Sequence, residues 1–186
     1  MCTKLILSKL IFVFAVIIFS LLRKEMIRSV KLNDAKAICD IYNYYIINTI
    51  ITFEEKEVTE DEIKNRIMNV TRNFPWLVYE EEGIVVGYIY ADKWKERSAY
   101  RYSVELGIYI DSKYVGKGIG SKLMKEILNL LRTKSIHSII YGVSLPNEAS
   151  IALCEKFGFK KIGQFEDVGF KFDKWIDVGY WELKLK

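Results

Sequence analysis

Residues 108–131 read IYIDSKYVGKGIGSKLMKEILNLL, and the fold follows from this stretch. Ile108-Tyr109-Ile110 has the apolar, β-branched and aromatic character of a strand end. After Gly118, the residues Ile119, Leu123, Met124, Ile127, Leu128 and Leu131 recur at helical spacing. Between strand and helix lies Val115-Gly116-Lys117-Gly118-Ile119-Gly120-Ser121. Glycine lets the main chain approach a ligand closely, and the amides at a helix N-terminus converge with a positive partial charge. That is the geometry of a phosphate cradle. Such a turn is by itself as often a plain loop, and the flanking strand and amphipathic helix favour the cradle. It is not a Walker A loop, because no Gly-Lys-Ser/Thr follows at the required offset, and the final strands run the wrong way for a dinucleotide fingerprint.

Outward from this unit, Ile27 to Lys31 alternates as a short strand, and Asn33 or Asp34 can cap a helix with the inner stripe Ile38, Cys39, Tyr42, Tyr45 and Ile46. Thr59 and Glu62 form a capping box for a second helix that buries Ile63, Ile67 and Val70. Trp76 to Tyr79 and Ile84 to Tyr90 read as a hairpin through Glu80-Glu81-Glu82-Gly83, and Tyr100 to Ile110 as the next strand. Ser138 to Val143 is a strand after the central helix. Asn147 caps a further helix carrying Ile151, Cys154 and Phe157, which Gly158 ends. Lys160 to Phe165 and Asp177 to Leu185 are terminal strands. The expectation is one α/β (α+β) domain over residues 26–186, with a mixed central sheet of about seven strands and helices on both faces.

Composition is that of an ordinary globular chain, 51% apolar and 28% charged over 186 residues. Lys4, Lys9, Arg23 and Lys24 against Glu25 supply +3 of the formal net charge of +4, leaving +1 for residues 26–186 and no argument for nucleic-acid binding. Cys2, Cys39 and Cys154 are odd in number and widely spaced, which points to neither disulfides nor a metal site and fits a reducing, cytoplasmic compartment. The first 25 residues form a hydrophobic leader. Its uncharged core, Leu10 to Leu22, spans about 20 Å as a helix, short for a bilayer. It reads as a membrane anchor, a secretory segment lacking a small-x-small cleavage site, or a misassigned start with translation beginning at Met26.

Among candidate chemical groups, Glu105 stands between Val104 and Leu106 in a strand, where an ionised carboxylate is expensive to bury without a partner. Alternation puts Arg101, Ser103, Glu105 and Gly107 on one face, so either an Arg101–Glu105 ion pair on a solvated face or a catalytic carboxylate fits. Cys154 reads as a small core residue on its helix, and His137, which precedes a strand, as exposed.

With these residues in place, the sequence resembles the GNAT acetyltransferases. Their Q/R-x-x-G-x-G/A signature, which binds the coenzyme A pyrophosphate, aligns with Val115 to Gly120, Val115 standing where Gln or Arg is usual. YADKWKERSAYRYSVELGIYI, SLPNEASIALCEKFGF and GFKFDKWIDVGYWEL narrow the resemblance to the phosphinothricin N-acetyltransferase group, over essentially residues 26–185. The resemblance implies transfer of acetyl from acetyl-coenzyme A to the primary amine of a small amino acid or analogue, without a metal, by a homodimer joined through its terminal strands. Glu105 falls at the carboxylate that takes the ammonium proton. Gly107, Ile108, Tyr109 and Ile110 would meet the thioester and pantetheine arm, with Val115, Gly116, Lys117, Gly118, Ile119, Gly120, Ser121 and Asn147 around the rest of the coenzyme. Cys154 replaces the His or Tyr of relatives, and a thiol there is the weaker candidate for returning a proton to the leaving thiolate. Phe53, Arg97, Tyr100, Arg101 and Lys171 are acceptor-pocket candidates, since an acceptor with a second acidic group needs cationic donors. Against them, Lys93, Lys95 and Arg97 also read as a solvated loop, and Trp175, Asp177, Tyr180 and Trp181 as core and edge residues. Two rivals stay open: the same chemistry on a protein N-terminus or polyamine, and a membrane-tethered coenzyme-binding module with weak catalysis.

Overall fold

The computed structural model describes residues 25–185, so the leader, apart from Glu25, lies outside the described residues. Seven strands and four helices follow one another as β1 (Glu25–Ser29), α1 (Ala35–Asn48), α2 (Glu60–Thr71), β2 (Trp76–Glu81), β3 (Ile84–Lys93), β4 (Ser103–Ile110), α3 (Ile119–Arg132), β5 (Ser138–Ser144), α4 (Glu148–Lys156), β6 (Lys160–Lys171) and β7 (Lys174–Lys184). They build one sheet in the order β1-β2-β3-β4-β5-β7-β6. Every neighbouring pair is antiparallel except β4 and β5. Among the described residues no helix is long and apolar enough to cross a membrane.

The two faces of the sheet are covered by different helices. Ile38, Tyr42, Tyr45 and Ile46 of α1 and Ile63, Ile67 and Val70 of α2 pack with Trp76, Val78 and Tyr88. Ile119, Leu123, Met124, Ile127, Leu128 and Leu131 of α3 and Cys154 of α4 pack on the other face with Ile89, Val104, Leu106, Tyr141 and Trp181. The α1 and α3 stripes are thus the ones read from helical spacing. Local signals hold as well. Thr59 accepts from the Glu62 amide while Glu62 accepts from the Thr59 amide, and Glu82 and Gly83 both take positive φ in the hairpin. Asn147 Oδ1 accepts from the Ser150 amide at 3.2 Å.

Several boundaries differ from the sequence expectation, β1 running over Glu25–Ser29 instead of Ile27 to Lys31, and three of the differences have a local cause. Asp34 does not cap α1 directly. Its carboxylate turns back to the Lys31 amide at 2.7 Å and to the Arg28 guanidinium at 2.7 and 2.8 Å, and a single 3₁₀ turn precedes the helix. Burial works to raise the Asp34 pKa, but these hydrogen bonds outweigh it and hold the carboxyl below its ordinary value. Strand β4 starts at Ser103 instead of Tyr100, because Ser98–Tyr100 form a 3₁₀ turn. Strands β6 and β7 reach Lys171 and Lys174, so the expected gap between them closes to a hairpin, with pairing irregularities near Gly163 and Gly169.

Candidate active site

The site arises where the sheet opens. The parallel pair β4 and β5 matches only Ser103 with Ser138, Val104 with Ile139 and Glu105 with Ile140. Beyond Glu105 the strands continue to Ile110 and Ser144 unpaired with each other. Tyr102 O accepts from His137 and Ser138 on the β5 side, whereas Ser103 O accepts from Trp94 on the β3 side. Backbone groups alternate along a strand. Leu106, Ile108 and Ile110 therefore turn their N–H and C=O groups toward the opening, and Gly107 and Tyr109 bond to β3. Tyr45 Oη donates to Ile110 O at 2.5 Å, as expected for a carbonyl on that open edge.

A groove of about 660 Å³ runs along this opening. Ile108 and Ile110 of β4, Tyr45 of α1, Val115, Gly116 and Gly118–Ser121 of the turn, and Asn147, Ser150, Leu153 and Lys156 around α4 are among its walls. Gly116 and Gly118 sit at φ of +82° and +79°, a region that L side chains enter at a cost, and Gly118 begins α3. The first amides of α3 point outward with no carbonyl before them, so the turn fits a diphosphate. Of the residues expected here, Gly107, Tyr109 and Lys117 do not line the groove. The Tyr109 ring packs on the opposite face of the sheet against Tyr42, Tyr45 and Tyr88, and Lys117 Nζ lies 4.1 Å from the Tyr114 ring centroid.

Glu105 stands where β4 and β5 part. A Cβ built on Gly142 would lie 3.2 Å from Glu105 Oε1 and 3.3 Å from the Tyr180 ring, so this β5 glycine makes room for the carboxylate and the phenol together. Asp92 is its cross-strand neighbour on β3. Burial pushes the Glu105 pKa up, Lys95 opposes this, and Asp92 adds to it. Arg101 forms no pair with Glu105. It lies outside β4, donates to Ser98 O at 3.2 Å and covers the Tyr102 ring at 4.4 Å. The ion-pair reading of Glu105 fails because the chain turns before the strand begins. The segment 94–102 packs Trp94 against Tyr180 edge-on, with ring centroids 5.8 Å apart.

The acceptor-pocket candidates fall into two groups. Arg97, Tyr100 and Arg101 are exposed in the segment leading into β4. Phe53 and Lys171 tie the segment before α2 to β6: the Phe53 ring lies so close over Gly169 that a Cβ there would be 2.1 Å from it, and Lys171 Nζ donates to Thr52 O at 2.7 Å. Lys171 is 3% exposed, and burial lowers its pKa. Cys154 has no exposed surface; Sγ donates to Ile151 O at 3.2 Å and burial pushes its pKa up to about 12. Sequence reading passed over Gly142, Asp92 and the proximity of Tyr180. A glycine inside the strand SIIYGVS was the one signal available for the first. Among the described residues no group of three His, Cys, Asp or Glu is placed to hold a metal.

Residues 27–179 match the family described as acetyltransferase (GNAT) domain. The phosphinothricin N-acetyltransferase of Streptomyces viridochromogenes is 34% identical over 160 residues, 86% of this chain and 87% of that protein. The L-methionine sulfoximine/L-methionine sulfone acetyltransferase of Salmonella typhimurium is 33% identical, over 82% of this chain and 90% of that protein. The crystal structure of a phosphinothricin acetyltransferase from Sinorhizobium meliloti in complex with acetyl-coenzyme A superimposes with a TM-score of 0.84 at 32% identity, over 87% of this chain and 88% of that one. Open β4–β5 edge, glycine cradle and partly buried carboxylate thus stand on a chain that belongs to the GNAT acetyltransferase family.

Proposed function

We propose that the protein acetylates the primary amine of a small amino acid or amino-acid analogue of the phosphinothricin or methionine sulfoximine type, with acetyl-coenzyme A as donor. The observation that carries this is Glu105, a partly buried carboxylate of raised pKa at the point where the groove's two strands part. The coenzyme, which supplies an activated acetyl thioester, fits the groove: the α3 amides and Ser121 suit its diphosphate, and the open edge of Ile108 and Ile110 suits its amide-bearing arm. An ammonium cannot attack until it loses a proton. Glu105, whose pKa burial pushes up, takes that proton in its ionised form, directly or through one water. Its neighbour Asp92 favours a cation at this spot. Cys154 packs the core in this reading, since its thiol is sealed from the groove and already spends its proton on Ile151 O.

Arg97 and Arg101 are exposed guanidinium groups in the segment leading into β4 and would take the acceptor's acidic group. Replacing each by Ala is expected to raise the acceptor KM about tenfold, the loss of one charge-assisted hydrogen bond, and to leave the dissociation constant for coenzyme A unchanged. A thiol-release assay with phosphinothricin, methionine sulfoximine, methionine sulfone and spermidine reads this. Faster turnover of spermidine than of the amino acids would overturn the acceptor assignment.

The assembly proposed is a homodimer through the terminal strands. Val168, Phe170 and Trp175 lie exposed on β6 and β7, Trp175 by 64%, an apolar patch of the kind that interfaces cover. Sedimentation equilibrium should give twice the chain mass of 21.8 kDa and fall to the monomer value in Trp175→Asp. A monomer at micromolar concentration removes this proposal.

A further inference from the structure

We infer that Lys156 supplies, from α4, the positive charge that residue 115 lacks for the coenzyme diphosphate; the inference rests on reading the groove as the coenzyme site. The turn presents backbone amides, but Val115, 56% exposed, offers neither charge nor donor. Other basic residues nearby are committed or turned away. Lys113 and Lys117 do not line the groove, Lys117 lies over Tyr114, and Lys122 donates to Glu25 and Tyr79. Lys156 is the one charged side chain among the groove's lining residues. It makes no ion pair among the described residues, and its Nζ donates to Ser121 Oγ at 3.1 Å. Because the ammonium donates to that oxygen, the Ser121 hydroxyl keeps its own proton for an anion.

The placement is fixed by the fold. Lys156 is the last residue of α4, which Gly158 at φ +88° terminates. Its neighbours anchor the helix: Cys154 is buried, and Glu155 accepts from Trp181 Nε1 at 3.1 Å. Lys156 therefore projects across to Ser121, the third residue of α3. A lysine at a helix C-terminus and an anion at a helix N-terminus are each favoured by the helix dipole. The two ends meet here, with room for an anion beside both.

Isothermal titration on the full chain tests this with coenzyme A and 3′-dephospho-coenzyme A as the probes. Lys156→Met should weaken both about tenfold and flatten the salt dependence of binding, with its melting temperature unchanged, while Lys156→Arg stays near the wild type. Adding Val115→Arg to Lys156→Met should restore the affinity. An unchanged dissociation constant in Lys156→Met overturns the inference. So does an effect seen with coenzyme A but absent with the dephospho form, which would assign Lys156 to the 3′-phosphate, or an equal gain from Val115→Arg in both backgrounds. A wild-type chain that binds neither probe overturns the reading of the groove itself.

Discussion

Glu105→Gln is expected to lower kcat/KM for the acceptor by about 10²–10⁴-fold, the usual contribution of a positioned general base. Gln keeps the size and much of the polarity of Glu, so it fits the room that Gly142 leaves while the proton acceptor is lost. The pH profile carries the sharper signature. Glu105 works when ionised, so in the wild type kcat/KM should rise with pH through a value above the ordinary carboxylate range, the direction in which burial shifts this group. The variant should lose that limb. Stability moves oppositely. A carboxyl whose folded pKa lies above its unfolded value imposes no penalty below the unfolded pKa, and destabilises the fold as pH rises through the folded pKa. At pH 8 Glu105→Gln should therefore melt no lower than the wild type. Activity within threefold of the wild type, or an unmoved ascending limb, would remove Glu105 from the role of base.

Gly120→Val should abolish tight coenzyme binding, weakening coenzyme A by about a hundredfold, or about 2.7 kcal/mol. Gly120 is the second residue of α3 and lines the groove between β4 and α4. A Cβ there would lie 3.3 Å from Leu153 Cδ2 and 3.7 Å from Ile108 Cδ1, so a single methyl fits with a small adjustment. Two further methyls enlarge the side chain in the groove that Gly120 lines, where on the proposed reading the diphosphate approaches the helix amides. Gly120→Ala should thus lie between wild type and Val. Titration calorimetry reads the affinity, and circular dichroism confirms that each variant is folded. Full affinity in a folded Gly120→Val would mean that the cradle amides do not contact the ligand.

The sequence by itself determined the elements and the cradle, because both depend on neighbours along the chain. Helical spacing from Ile119 to Leu131 dictates which side of α3 is buried, and the glycines at 116 and 118 dictate a turn that only positive φ allows. The carboxylate at 105 was conspicuous for the same local reason, a charge between two buried apolar residues. What surrounds Glu105 was decided by pairing between distant segments. Parallel strands β4 and β5 stay matched for three residues and then part, with α3 and α4 packed against the same core cluster. That register brings Gly142 and Tyr180 to Glu105 and leaves the Ile108 and Ile110 backbone unpaired. Arg101, expected on the same face as Glu105, is removed from it by a 3₁₀ turn that strand periodicity does not reveal. Lys156 and Ser121 are 35 residues apart in sequence and 3.1 Å apart in space. No local propensity encodes such a contact. It exists because two helices on one face of the sheet end and begin at the same point.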